Sequence, residues 1–178
     1  MTVARFEHIA GSQDLSGTEI MQQYGVLPWR EDKHGRGQVL LITSRGHGRW
    51  IVPKGWPIHD RAPYLSAALE AFEEAGVIGE VLPHPLGTYH YVKEGEDGAT
   101  QYRRVTLFSL RVVGTLTNWP ERGQRKRQWF SLSEAADMVD NRELARIICA
   151  IHDAPQMLTE RNGRVSNGDK RFEGPLTT

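Results

Sequence analysis

Only one of the 178 residues is cysteine, Cys149. An internal disulfide framework is therefore excluded, and a reducing cytoplasm is the compartment that this composition fits. The surroundings of Cys149, Arg-Ile-Ile-Cys-Ala-Ile, are apolar and helical in pattern, so a buried structural thiol is expected rather than a nucleophile. No run approaches the roughly 20 apolar residues of a membrane span. The opening MTVARFEHIAGSQDL lacks the apolar core of a signal peptide. Net charge is also missing, since Lys plus Arg and Asp plus Glu each number 22. That balance gives no argument for a membrane partner and argues against a nucleic acid. His59, His84 and His90 show no zinc-ligand spacing, and no internal repeat is visible.

What is present is enough chain for one domain with a sizeable core. Residues 1–17 are mixed and rich in small polar types and read as an arm. The domain is expected over 18–152, and the polar stretch 153–178 reads as a tail with little fixed structure. Glu19 to Trp29 suggests a first strand ending near Pro28. The continuous apolar run Gln38 to Thr43 should be a strand buried on both faces. Trp50 to Val52 is a short strand. Glu80 to Val92 is strand-like, with Pro83 and Pro85 at an edge or a break. Lys93 to Ala99 is a hairpin loop, and Arg103 to Val113 is a further strand. Gln128 to Phe130 is a short strand. Ser131 and Glu134 form a capping box that opens a helix through Val139. Asp140 is placed to cap a last helix, Glu143 to His152. Strands outnumber helices, so the pattern predicts an α+β chain, a mixed sheet flanked by helices.

The chemistry concentrates in one stretch, PKGWPIHDRAPYLSAALEAFEEAGV, from Pro53 to Val77. Pro57 and Pro63 keep residues 55–63 out of helix, and Pro63 suits a first turn. Gly76 is a left-handed stop. At 100° per residue, with Glu70 at zero, Glu74 lies at about +40° and Glu73 at about −60°. Leu65, Leu69 and Phe72 fall at about 200–260° and are expected to be the buried face. Like charges three and four apart repel. A magnesium or manganese ion, which prefers carboxylate oxygens and bridges to phosphate, would relieve that repulsion. The plainer alternative is a solvated acidic face.

Gly55, the thirteen residues after it, Leu69 and the run Glu70-Ala71-Phe72-Glu73-Glu74-Ala75-Gly76-Val77 resemble the box of the Nudix hydrolase superfamily, without a gap. Two positions depart: Arg61 stands where the box has its first Glu, and Leu69 where it has Arg. The resemblance implies an α/β/α sandwich, in agreement with the element pattern. Arg49-Trp50-Ile51-Val52-Pro53 and Arg125-Lys126-Arg127-Gln128-Trp129-Phe130 resemble the diphosphoinositol polyphosphate phosphohydrolase branch, which also hydrolyses diadenosine polyphosphates. That branch has basic residues on its first strand, where this chain has Met21, Gln22 and Gln23, and a glycine where it has Lys54.

The implied reaction is attack of water on a phosphorus of a diphosphate linkage, assisted by Mg2+. Glu70 and Glu74 are the first choice of ligands. Glu73 is a third ligand or orients a metal-bound water, and a carbonyl of the Lys54-Gly55 loop completes the shell. The base is one of these glutamates, Glu94 or Glu96. Arg45, Arg49, Lys54, Arg125, Lys126 and Arg127 are candidate phosphate contacts, or else solvated cations. Trp56 stacks on a base or packs against protein. Three readings follow. The first is a hydrolase of a diadenosine polyphosphate, an inositol pyrophosphate or a nucleoside diphosphate derivative. The second is a sensor of the same fold that binds a phosphorylated ligand without turnover, given Arg61 and Leu69. The third is an RNA-end hydrolase, which the balanced charge disfavours.

Overall fold

A computed structural model of the chain describes residues 19–95 and 97–160. The expected arm, Glu96 and the tail after Glu160 lie outside the described residues. Strands β1 (Ile20–Glu31), β2 (Gly37–Thr43), β3 (Trp50–Ile51) and β4 (Lys54–Gly55) precede helix α1 (Pro63–Ala75). Then come β5 (Val77–Glu94), β6 (Thr100–Thr115), β7 (Arg127–Ser131), α2 (Leu132–Met138), α3 (Arg142–Asp153) and a 3-10 turn, Pro155–Leu158. The seven strands form one sheet in the order β3-β2-β1-β6-β5, with β4 on β1 and β7 on β2. β1 and β6 run parallel, from Ile20 opposite Tyr102 to Trp29 opposite Arg111, and the other pairs are antiparallel.

The expected two-faced burial of the second strand is found. Val39 and Leu41 face one core with Leu27, Trp29, Leu107 and the residues of α2 and α3; Leu40 and Ile42 face the other with Val26, Phe108, Leu110 and α1. The sheet is thus covered by one helix on one side and two on the other, the α/β/α sandwich that the sequence predicts. Pro85 lies between two register breaks on the edge strand β5, where a missing N–H is tolerated.

Four local expectations are corrected. The face of α1 that packs on the sheet is Ala67, Ala71 and Ala75, with Glu74 at its border, whereas Leu65 is 44% and Phe72 37% exposed. Small side chains let the helix lie close to the sheet, and that closeness decides its rotation. α3 is capped by Asn141, not Asp140; the Leu144 amide donates to Asn141 Oδ1 at 2.9 Å. Cys149 is exposed, because it lies about 100° around the helix from Ile148, which is buried. The start of the tail is packed, since Leu158 is buried and its carbonyl accepts from Ser109 Oγ at 2.7 Å.

Candidate functional site

The site forms where α1 faces the loop that feeds it. β4 lies against β1 with Gly25 opposite Lys54, and a Cβ at Gly25 would meet Pro53 O at 2.9 Å. That close approach presents Lys54, Gly55 and Trp56 to the helix. The Lys54 amide donates to Glu74 Oε2 at 3.0 Å. Gly55 abuts Glu70 so closely that a Cβ there would fall 1.9 Å from Glu70 Oε1. Only glycine leaves room for the carboxylate in that position. At the other end, α1 stops at Gly76, left-handed at φ 62°, as expected. The loop after β6 is bolted there. The Leu116 amide donates to Gly76 O at 2.8 Å and the Glu121 amide to Glu73 O at 3.1 Å. Arg127 donates to Ala75 O at 2.7 Å and to Gly76 O at 3.0 Å, with its guanidinium over Trp119.

This loop delivers a residue that the spacing of the box does not reveal, Glu121. The Arg125 guanidinium lies between Glu121, which it reaches through Nε at 2.5 Å, and Glu74, which it bridges through its second terminal nitrogen. Its remaining nitrogen donates to Thr43 O at 3.1 Å. Arg125 and Glu74 are both buried, at 8% and 7% exposure. Arg125 therefore differs from the solvent-facing phosphate contact expected of it: its donors are already committed to protein acceptors. The one sequence sign of Glu121 is its place four residues before Arg125, within reach of a local ion pair.

Four carboxylates thus meet near Gly55, and their fields show. Burial, then the charges of Glu74, Glu73 and Glu121, push the Glu70 carboxyl up to about 7. Burial raises Glu74 as well, offset in part by Arg125 and the Lys54 amide. Burial lowers the Lys54 ammonium to about 8 against the attraction of Glu74. Among the described residues, no three His, Cys, Asp or Glu side chains are arranged to hold one ion together, since Glu74 points at Arg125. The donor set still suits a hard divalent cation. It is all oxygen, it is crowded with like charge, and Gly55 leaves its backbone open beside Glu70.

The other expected contacts are dispersed. Arg45 is exposed and stands 3.9 Å from Glu121 and 3.4 Å from Gln124. Arg49 is exposed in the turn after β2, where its amide donates to Ser44 Oγ. Lys126 is exposed, and its amide donates to Thr43 Oγ1. Arg127 serves the end of α1. Glu94 is exposed at the end of β5, and Glu96 lies outside the described residues. Of the cationic candidates, Arg125 pairs with Glu74 and Glu121 through its side chain, and Lys54 reaches Glu74 through its amide.

A sheet between one helix and two, with an acidic helix entered from a glycine loop, defines the class of protein. The chain belongs to the NUDIX domain family, whose model matches residues 21–150. It is similar to Nudix hydrolase 21, chloroplastic, of Arabidopsis thaliana, 38% identical over 124 residues, 67% of this chain and 60% of that protein. It is also similar to diphosphoinositol polyphosphate phosphohydrolase 3-alpha of Mus musculus, 36% identical over 101 residues, 55% of this chain and 57% of that protein. The matched part spans about three fifths of these curated relatives. The crystal structure of C. elegans Ap4A hydrolase shares the fold, with TM-score 0.55 at 18% identity over 76% of this chain and 98% of that one. No helix among the described residues is long and apolar enough to cross a membrane.

Proposed function

We infer that the chain is a divalent-metal-dependent hydrolase of phosphoric anhydrides, using Mg2+ with Mn2+ as a substitute. The observation that carries this reading is the fit of Glu70 against Gly55, with Glu73, Glu74 and Glu121 gathered around it. Glu70, Glu74 and the Gly55 backbone would hold the ion, with Glu73 or Glu121 completing its surroundings. The bound ion supplies charge neutralisation at the phosphate and an acidified water. The residues themselves do the rest. With an ion present, Glu74 would turn to it from Arg125, and Arg125 would keep Glu121 and Thr43 O. A glutamate of this group that the ion leaves free, Glu73 or Glu121, would take the proton from water. Lys54 steadies an anionic oxygen beside Gly55.

Substrate classes consistent with these groups are diadenosine polyphosphates, inositol pyrophosphates and nucleoside diphosphate derivatives. The mouse relative's name supports the second of these. The single cysteine supports a cytoplasmic setting. The test is product release from a panel of these anhydrides with magnesium. Turnover by the wild type that is lost in Glu70→Gln and in Glu74→Gln is the expected result. The Glu74–Arg125 pair and the Arg61 and Leu69 departures favour a second reading, a ligand sensor. Tight binding of a panel member with no release of product by the wild type would establish that reading instead.

A further inference from the structure

Three consecutive residues tie the carboxylates to a second set of charged groups. Lys54 bonds Glu74 through its amide, Gly55 abuts Glu70, and Trp56 stacks on Arg103. Arg103 precedes the buried Val105 by two positions on β6, so strand alternation puts both side chains on one face of the sheet. Its guanidinium lies 4.9 Å from the ring centre of Trp56 and 5.9 Å from that of Tyr91. The Lys54 ammonium stands over the same Tyr91 ring at 5.2 Å. Tyr91 is fixed in turn, because its hydroxyl donates to Gln23 Oε1 at 2.6 Å.

Aromatic stacking uses the faces of a guanidinium and leaves its N–H edge for in-plane acceptors. That edge is under-used. One terminal nitrogen of Arg103 donates to Gln101 Oε1 at 2.7 Å, and the other reaches the Tyr91 hydroxyl only at 3.5 Å. Arg103 Nε is buried and has no acceptor among the described residues. No Asp or Glu among the described residues lies within ion-pair distance of Arg103 or Lys54. Buried polar groups are ordinarily satisfied, and a half-buried guanidinium with no carboxylate at ion-pair distance is costly unless an anion joins it. Trp56 stays 44% exposed, so this stack opens to solvent.

We propose that Arg103, seated between Trp56 and Tyr91 beside Lys54, is a specificity-determining anion site for the phosphate beyond the linkage broken at the glutamates. The substrate class this selects is a chain of three or more phosphates rather than a single diphosphate. The assignment of the broken linkage rests on the hydrolase reading; the anion site rests on the contacts of Arg103 alone.

The experiment is calorimetric titration of the metal-free full chain with inorganic tripolyphosphate and with pyrophosphate, beside turnover of the same compounds with magnesium. The wild type is expected to favour tripolyphosphate by about tenfold or more, the scale of one charge-assisted, bidentate contact. Arg103→Gln should abolish that preference, and Arg103→Lys should keep part of it. Trp56→Ala, at an exposed position, should reduce it, and this variant decides the matter should Arg103→Gln fail to fold. A wild type without the preference, or an Arg103→Gln or Trp56→Ala variant that retains all of it, overturns the proposal. Turnover together with a preference indifferent to Arg103 overturns the anion site alone. Preference that depends on Arg103 without turnover of any anhydride overturns the hydrolase reading and leaves the anion site standing.

Discussion

Arg125 neutralises Glu74 from 51 residues away, in an ion pair that water scarcely reaches. The pair is held on both sides, by Glu121 and Thr43 O at the arginine and by the Lys54 amide at the glutamate. It joins the end of β2, the loop before β7 and the acidic helix at one point. A buried pair is dangerous to break from one side, because the survivor keeps its charge and loses its partner.

Arg125→Gln should therefore destabilise the fold by about 3–5 kcal/mol, the usual scale for an orphaned buried charge. Glu74→Gln should cost less, since Arg125 retains Glu121. Denaturant melts of the two variants check this. Equal losses would show that Glu121 does not hold Arg125 in solution.

Gly55→Ala separates function from stability. The three atoms nearest to the added Cβ all belong to the carboxylate end of Glu70, a flexible group that can swing away. The melting temperature should stay close to that of the wild type, while turnover falls by about 100-fold, because a displacement of about 1 Å at a reacting group has that effect. An alanine variant with wild-type turnover would show that the close approach of Gly55 and Glu70 is not needed.

Much of this architecture is legible in the residue pattern, and the exceptions share a cause. The continuous run Gln38 to Thr43 announces a strand buried on both sides, and Ser131 with Glu134 announces α2, whose two reciprocal capping bonds are both formed. These are short-range signals. The rotation of α1 is not one. Periodicity weighs Leu65 and Phe72 above Ala67, Ala71 and Ala75, but the distance between helix and sheet admits only the alanines. Gly55 opens the box and Lys54 precedes it, so both stand out in the sequence as candidates, and both lie beside the carboxylates. Arg125 reads as a phosphate contact or a solvated cation, and Glu121 does not stand out at all, because Glu74, which completes their cluster, lies on another element. Arg103 is hidden for the same reason: its significance comes from Trp56 and Tyr91, which only the sheet brings to it.

The Glu70 carboxyl gives a pH signature with a defined sign. Its pKa rises from 4.5 in the unfolded chain to about 7 in the folded one. Between these values the folded chain binds the extra proton, so this group's contribution to stability falls as pH rises through the window and levels off above about 7. In metal-free protein the melting temperature should fall more steeply over that range for the wild type than for Glu70→Gln. On the metal-dependent reading proposed above, magnesium should reverse the trend, since an ion held there would favour the deprotonated carboxyl. Thermal melts of both proteins across the window, with and without magnesium, test this. Parallel slopes in the absence of metal would remove Glu70 as the titrating group.

The two departures from the box line the same groove beside α1. Arg61 and Leu69 share this shallow groove with Leu65, Phe72 and Ile78, and a double-variant cycle measures whether the two positions are coupled. Leu69→Arg alone would place a second cation beside Arg61 and bury part of an apolar position under charge. Arg61→Glu alone would add an acid just before a helix already rich in them. The double variant restores opposite charges and should be more stable than the sum of the single effects by about 0.5–1 kcal/mol, the range for a partly exposed pair. Denaturant unfolding of the four proteins closes the cycle, and turnover with magnesium, measured alongside, should recover in the double variant relative to Leu69→Arg. Single variants as stable and as active as the double would show that Arg61 and Leu69 are independent, and that the helix holds its glutamates without any bridge between those two positions.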